Sequence, residues 1–193
     1  MSLFSAQFLK AKFEAGLSFK PFVESAAAEG HDGPWRQRFA QLELSADQRK
    51  LVSEFTRDIR IVSITGAWCG DCALQGAALA RIAEANPDRV ELRFLHRDPH
   101  ADLLVKTPIN AGFRVPVTFF LAEDFELVSR FGDRTLSRYR SMARKQLGEA
   151  CPPLGAPAPN DPVARVMAEM LDEVERVHLL LRTSGRLRRR HGD

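Results

Sequence analysis

The sequence predicts an α/β protein in which a mixed β-sheet is flanked by helices on both faces. Three observations support this prediction. Residues 1–58 show only the helical spacing of apolar residues, whereas short β-branched segments begin at Arg60. From there, strand-like and helix-like segments follow in the order β-α-β-α-β-β-α, which is typical of a mixed sheet with helices on both faces. After a proline-rich segment, a long apolar stripe indicates a C-terminal helix.

Residues 1–58 predict an all-helical N-terminal extension. The predicted helices cover residues 4–15, 18–28, 33–42 and 45–55. Pro34 suits a first helical position, and Ser45 with Gln48 three residues later forms a capping-box pattern. We interpret the phenylalanines of this extension as core residues packed on the sheet, with a client-binding or dimer surface as the alternative.

Residues 59–150 predict the α/β domain itself. The predicted strands cover residues 61–65, 90–95, 117–121 and 126–131. The predicted helices cover residues 70–85, 102–110 and 135–147, the second of them interrupted by Thr107-Pro108. Only a tight acidic turn separates the last two strands, so we expect them to pair antiparallel.

The C-terminal part divides into a linker, a helix and a basic tail. Residues 151–162 contain five prolines and predict a linker, after which residues 163–182 predict a helix capped by Asp161. The apolar stripe of this helix predicts docking on the same chain and leaves a homodimer seam as the alternative. The tail, residues 183–193, is expected to be disordered and solvated rather than bound to nucleic acid or an acidic partner.

Composition and charge exclude several classes of function. The net charge is +3, but residues 182–193 carry five arginines and one aspartate, about +4, so the remainder is close to −1. No segment has the length and apolarity of a membrane span, and the N-terminus lacks the pattern of a secretory signal. With only three cysteines, the chain is expected to be cytoplasmic, with no membrane and no nucleic-acid partner.

The chemistry of the chain is concentrated in the motif Trp68-Cys69-Gly70-Asp71-Cys72. A predicted strand runs into this motif and a predicted helix leaves it, so Cys69 falls at the helix N-terminus, where unpaired N–H groups favour a thiolate. Cys72 lies three residues further on and can form a disulfide with Cys69. The spacing predicts that Cys69 attacks a disulfide and that Cys72 then releases the mixed disulfide.

The alternative for this cysteine pair is half of a zinc site, which would need two further ligands. Cys151, His96 and His100 are the available candidates. The position between strand and helix favours redox chemistry, so we predict no metal. We interpret Cys151 as an ordinary linker thiol, and the histidines as part of a solvated loop with substrate recognition as the alternative.

A second motif lies 44 residues after Cys72, where Pro116 immediately precedes a strong strand. Together with the W-C-G-x-C motif, it makes residues 60–148 resemble the thioredoxin superfamily. The WCGDC motif and the helical extension look similar to bacterial thioredoxin-like proteins. The resemblance implies a thioredoxin-like sheet in which Pro116 is cis and the backbone of Val115 docks the substrate strand. It also implies a substrate groove formed by Trp68, Gly70, Val115 and Pro116.

Two positions depart from the pattern of the family. The buried carboxylate that relays a proton in thioredoxins is replaced by Ser63, and Asp71 replaces the usual proline between the cysteines. A carboxylate beside Cys69 disfavours its thiolate by like-charge repulsion. We therefore predict that Asp71 raises the pKa of Cys69 relative to a Gly-Pro site; the alternative is that Asp71 supplies the missing proton relay.

The resulting prediction is a thiol–disulfide oxidoreductase of the thioredoxin type, an enzyme that needs no cofactor beyond its Cys69–Cys72 dithiol. Its partners would be protein disulfide clients and an upstream thiol reductant. The alternative is a non-catalytic binding or redox-sensing module that acts through its helical lobe.

Overall fold

A computed structural model describes residues 3–147 and 161–192. The helices are α1 (Ala6–Ala15), α2 (Phe19–Ala27), α3 (Asp32–Gln41), α4 (Ala46–Ser53), α5 (Gly70–Ala85), α6 (Ala101–Val105), α7 (Leu136–Leu147), α8 (Pro162–Arg182) and α9 (Gly185–His191). The strands are β1 (Ile59–Thr65), β2 (Val90–His96), β3 (Val117–Leu121) and β4 (Leu127–Gly132). Most of the predicted linker, including Cys151, lies outside the described residues.

The strands form one mixed sheet in the order β2-β1-β3-β4. β1 and β2 run parallel, whereas β3 runs antiparallel to both β1 and β4. The predicted strands and the antiparallel hairpin are therefore confirmed. Helix α6 ends at Val105, short of the predicted residue 110, because Pro108 disfavours helical backbone in the residue before it.

The core lies on both faces of the sheet, and β1 contributes to each face in turn. Ile59 and Ile61 pack against α2, α3, α4, α5 and α8, whereas Val62 and Ile64 pack against α1 and α6. This two-residue alternation is the pattern of a strand buried on both sides. The N-terminal phenylalanines are core residues as predicted, but they are divided between the two faces and do not form a single lobe.

The connection between α1 and α2 pairs with the outer edge of the sheet. Leu17 N donates to Phe94 O at 2.9 Å, and Phe94 N donates to Leu17 O at 2.7 Å, in an isolated antiparallel bridge. Gly16 allows this close approach, because a Cβ atom there would lie 2.6 Å from Cβ of Arg93. No strand was predicted in residues 1–58, and this single bridge is what the extension adds to the sheet.

The apolar stripe of α8 docks on the same chain, as predicted. Its seven buried residues join the core that also contains α5, and they are Val166, Met167, Met170, Leu171, Val174, Val177 and Leu181. In the part of the chain that the structure describes, no helix has the length and apolarity needed to cross a membrane.

The prediction of a disordered basic tail is wrong. Residues 185–191 form helix α9, which Ser184 caps and which buries Leu187 completely. Arg186 and Arg190 pair with Asp124 in the turn between β3 and β4, and His191 lies 2.6 Å from Glu123 in the same turn. The sequence pattern was misleading because the acids that balance this charge are more than 60 residues away.

We expect the stability of the protein to fall as the pH decreases below about 6.5, partly because of His178. Nε2 of His178 accepts a hydrogen bond from Thr56 N at 3.1 Å, and the ring stacks on Phe55. Burial, followed by the charges of Arg182 and Arg57, lowers the pKa of His178. The unfolded chain therefore binds this proton more readily than the folded chain does. The resulting stabilisation is fully present above the pKa that His178 has in the unfolded chain, and it is lost as the pH falls towards the lower pKa of His178 in the folded protein.

The measurement is thermal unfolding of wild type and His178→Gln at pH 7.5 and pH 5, which lie about one to two pH units either side of the ordinary pKa of histidine. Glutamine keeps an acceptor but does not titrate, so the variant should lose less stability between the two conditions. Because the pKa of His100 is also lowered by burial and by Lys12, part of the pH dependence remains. An identical loss in both proteins would contradict the role of His178.

Candidate functional site

The two cysteines of the W-C-G-D-C motif lie where β1 passes into α5. Cys69 is the N-cap residue of α5, and its sulfur accepts a hydrogen bond from Cys72 N at 3.4 Å. Both cysteines are free thiols; Cys69 is half-buried, whereas Cys72 is completely buried. The structure therefore brings together one partly accessible sulfur at a helix N-terminus and one buried sulfur next to it.

The two thiols differ in acidity. The hydrogen bond from the Cys72 side chain is the main cause that lowers the pKa of Cys69 to about 7, and the backbone N–H groups of Cys72 and Asp71 act in the same direction. Burial opposes this shift. For Cys72, burial raises the pKa well above its ordinary value, and the neighbouring Cys69 adds to the effect. Near neutral pH, Cys69 is therefore partly ionised, whereas Cys72 stays protonated.

The loop before β3 lies directly beside Cys69. The sulfur of Cys69 lies 3.8 Å from the carbonyl oxygen of Val115, and the Val115–Pro116 peptide bond is cis, as the resemblance implied. The two residues that flank Cys69 along the chain are accessible: Trp68 is 61% exposed, and Gly70 faces open space. Of the four residues predicted for a substrate groove, Trp68 and Gly70 are the chain neighbours of Cys69, Val115 contacts its sulfur, and Pro116 is buried next to Val115.

Trp35 of α3 supports the segment that leads into the dithiol. Its side chain is completely buried, and Nε1 donates to the carbonyl oxygen of Ala67 at 2.8 Å. Gly76 of α5 makes room for the indole, since a Cβ atom there would lie 2.5 Å from a ring carbon of Trp35. The N-terminal extension thus holds the backbone two residues before Cys69.

Asp71 is 8% exposed and faces two arginines. Its two carboxylate oxygens accept hydrogen bonds from Arg134 Nε and Arg138 Nε, each at 2.7 Å. The predicted repulsion between Asp71 and Cys69 is present and raises the pKa of Cys69, but it ranks below the hydrogen bonds and burial, and the pKa is lowered overall. Because both oxygens are engaged with guanidinium groups, the geometry gives little support to Asp71 as a proton relay.

Ser63 occupies the position at which thioredoxins carry a buried carboxylate. It is 1% exposed, and its hydroxyl lies 3.1 Å from Thr118 Oγ1 on the neighbouring strand. This pairing satisfies the two hydroxyl groups within the sheet. The site therefore has a neutral hydrogen-bonded pair where the family has an acid.

A cleft of about 290 Å³ opens beside Trp68, at the carboxyl ends of the parallel strands β1 and β2. His96 and Arg97 line it together with Ser25 of α2. The His96 ring packs on Phe22, and its Nε2 lies 2.8 Å from Ser25 Oγ, so this histidine is not simply a solvated loop residue. His100 lies elsewhere, with Nδ1 3.2 Å from Lys12 Nζ.

Within residues 3–147 and 161–192, no three His, Cys, Asp or Glu side chains are grouped so as to hold a metal ion. Cys151, one of the ligands considered for a zinc site, lies outside these residues.

Sequence analysis missed the supporting residues of the site. Trp35 was placed only in a predicted helix and not at the site, although a buried indole N–H needs an acceptor and that need was a usable signal. Arg134 and Arg138 carried no signal, because they lie 63 and 67 residues from Asp71 along the chain.

The mixed sheet with its flanking helices, the dithiol at the start of α5 and the cis-proline loop define a protein of the thioredoxin fold. The chain belongs to the thioredoxin family, whose sequence model matches residues 16–144. The match includes the dithiol, the Val115–Pro116 loop and most of the helical extension.

Two solved structures share the fold over nearly the whole chain. A protein of unknown function from Pseudomonas aeruginosa is 19% identical with a TM-score of 0.62, and the alignment covers 89% of this chain and 95% of that one. An HIV epitope scaffold is also 19% identical, with a TM-score of 0.58 and coverage of 91% and 98%. No curated protein matches the sequence.

Proposed function

We propose that the protein is a thiol–disulfide oxidoreductase in which Cys69 attacks substrate disulfides and Cys72 resolves the mixed disulfide. The observation that carries this proposal is the arrangement of the two thiols. An accessible sulfur with a pKa lowered to about 7 lies at a helix start, and a buried thiol with a raised pKa lies next to it. Nucleophile and resolving thiol need these opposite properties.

In the first step, the Cys69 thiolate attacks one sulfur of a substrate disulfide. A Cys69–substrate disulfide forms, the substrate S–S bond breaks, and the other substrate sulfur leaves as a thiolate and takes up a proton. The backbone of Val115 would pair with an extended substrate segment, and its carbonyl oxygen, 3.8 Å from the Cys69 sulfur, would place that segment beside the reacting atom. Trp68 offers an exposed apolar surface on the other side.

In the second step, Cys72 loses its proton and attacks Cys69. The Cys69–Cys72 disulfide forms, and the second substrate sulfur is released as a thiol. The substrate gains two electrons and two protons, and the protein loses them. Attachment of substrate to Cys69 removes the negative charge that opposes ionisation of Cys72, which favours this second deprotonation.

The cycle requires an upstream thiol reductant, protein or small molecule, to reduce the Cys69–Cys72 disulfide. We place the protein in the cytoplasm, where such reductants are maintained and where a chain with few cysteines is expected. Kinship with bacterial thioredoxin-like proteins that carry the WCGDC motif is part of the same proposal.

The function can be tested by reduction of insulin with dithiothreitol as the electron donor. We expect the wild-type protein to accelerate precipitation of the insulin B chain. Cys69→Ser should reduce the rate to the uncatalysed background, because a serine hydroxyl is not ionised at neutral pH and does not attack disulfides.

Cys151→Ser is the matched control, since it makes the same substitution at the third cysteine and should retain the wild-type rate. If wild type and Cys69→Ser were indistinguishable from background, the oxidoreductase proposal would be wrong, and the binding or redox-sensing alternative would remain.

A further inference from the structure

The start of α5 carries an acid that would be unfavourable beside a thiolate without compensation. Asp71 lies two residues after Cys69, and its side chain is 9% exposed. A buried carboxylate needs a charged partner, and a negative charge this close to Cys69 opposes its ionisation. Asp71 has two such partners, because Arg134 contacts one carboxylate oxygen and Arg138 contacts the other.

These ion pairs continue into a second acid. Arg134 also donates to Asp133 Oδ2 at 3.0 Å, and Arg114 donates to the same oxygen at 3.1 Å. The Asp133 side chain is 2% exposed, and its other oxygen accepts a hydrogen bond from the Tyr139 hydroxyl. Burial opposes ionisation, but the hydrogen bonds from Tyr139 and Arg114 hold the pKa of Asp133 below its ordinary range.

This network connects the three segments that meet at the dithiol. Asp71 belongs to the start of α5, Arg114 lies next to Val115, and Arg134 and Arg138 belong to the junction of β4 with α7. Gln75 of α5 strengthens the connection, since its Nε2 donates to the carbonyl oxygen of Asp133 at 2.9 Å. Two acids and three arginines leave one net positive charge beside Cys69.

We propose that Arg134 and Arg138 are positioning residues for the exchange reaction. They compensate the charge of Asp71 and hold its carboxylate towards α7, so that this carboxylate opposes ionisation of Cys69 at the N-terminus of α5 less than an unpaired one would. This inference rests on the proposed function for its significance. Its test measures the resting dithiol and does not depend on turnover.

The test is a pH titration of the ultraviolet thiolate absorbance of the reduced protein. Arg138 is the first residue to replace, because Arg134 also contacts Asp133. We expect Arg138→Gln to lower the thiolate fraction of Cys69 at neutral pH about two- to threefold, because one of the two unit charges that compensate Asp71 is lost. Arg138→Lys keeps the charge and should stay near wild type. Cys72 does not interfere, since its pKa is raised well above that of Cys69.

Replacing Asp71, the ion-pair partner of Arg138, should change the thiolate fraction of Cys69 in the opposite direction. Asp71→Asn should raise the thiolate fraction, and the double variant Asp71→Asn with Arg138→Gln should return close to the wild-type value, because one charge of each sign is removed. Arg140→Gln is the matched control: it removes the same charge from α7 two residues further on, which places it on the opposite side of the helix.

The proposal is overturned if Arg138→Gln titrates like the wild type, if it titrates like Arg140→Gln, or if Asp71→Asn leaves the thiolate fraction unchanged or lower. Should Arg138→Gln fail to fold, an unchanged or lower thiolate fraction in Asp71→Asn still overturns the proposal. Failure of the insulin assay with the expected titrations would reject the proposed function and leave this inference intact. The reverse result would reject only the inference.

Discussion

Replacing Cys72 by serine is expected to leave substrate proteins covalently attached to Cys69. The variant keeps the nucleophile but removes the thiol that breaks the mixed disulfide. Intramolecular attack between well-placed groups corresponds to effective concentrations on the order of 10⁵ M or more, which free thiols in a cell extract do not approach. Cys72 is well placed in this sense, because its N–H lies 3.4 Å from the Cys69 sulfur and its own side chain is buried next to it.

The measurement is electrophoresis of affinity-purified Cys72→Ser under non-reducing conditions. New bands of higher mass should appear and should disappear after reduction. The double variant Cys69→Ser with Cys72→Ser should show none of them, and Cys69→Ser alone should not trap clients either. Adducts of equal abundance on the double variant would mean that Cys69 is not the attacking thiol.

Replacing Trp35 by alanine is expected to destabilise the protein by about 3–5 kcal/mol, the range for removal of a fully buried large aromatic side chain. The indole fills the space between α3 and α5, where its ring centroid lies 4.8 Å from that of Phe22 and 5.6 Å from that of Phe94. Gly76 leaves a matching recess on α5, so few other side chains are placed to fill the cavity. Denaturant unfolding measures the difference.

Trp35→Phe separates packing from the hydrogen bond. It keeps a ring but leaves the Ala67 carbonyl oxygen without the 2.8 Å hydrogen bond from Nε1, a loss expected to cost about 1–3 kcal/mol. Because Ala67 lies two residues before Cys69, the alkylation rate of Cys69 should change as well. Phe39→Ala on the same helix is the control, with a smaller loss of stability and an unchanged alkylation rate. If Trp35→Phe changed neither quantity, the extension would not support the dithiol.

Much of the fold was predictable because its signals are local. The β-branched run around Ile61, the capping box at Ser45 and the Asp161-Pro162 helix start each report on a few neighbouring residues, and each is present in the structure. The dithiol was predictable for the same reason, since both cysteines lie within one helical turn.

The features that the sequence did not reveal depend on pairs of residues that are distant along the chain. The basic tail was predicted to be solvated because the acids that pair with it, Glu123 and Asp124, lie far away along the chain in the β3–β4 turn. The arginines that pair with Asp71 were missed for a similar reason, because they follow β4 in the chain. The sign of a side-chain charge and its position along the chain can be read from the sequence, but the effect of that charge depends on which groups lie beside it in the folded protein.

The bridge between Leu17 and Phe94 has a consequence for self-association. β2 is an edge strand, and an uncovered edge with free N–H and C=O groups is a template on which another chain can add a strand and aggregate. Leu17 occupies both backbone groups of Phe94, in the middle of that edge. The helical extension therefore covers part of the edge at which another chain could add a strand, and this edge is two strands away from β3, which follows the loop where substrates are proposed to dock.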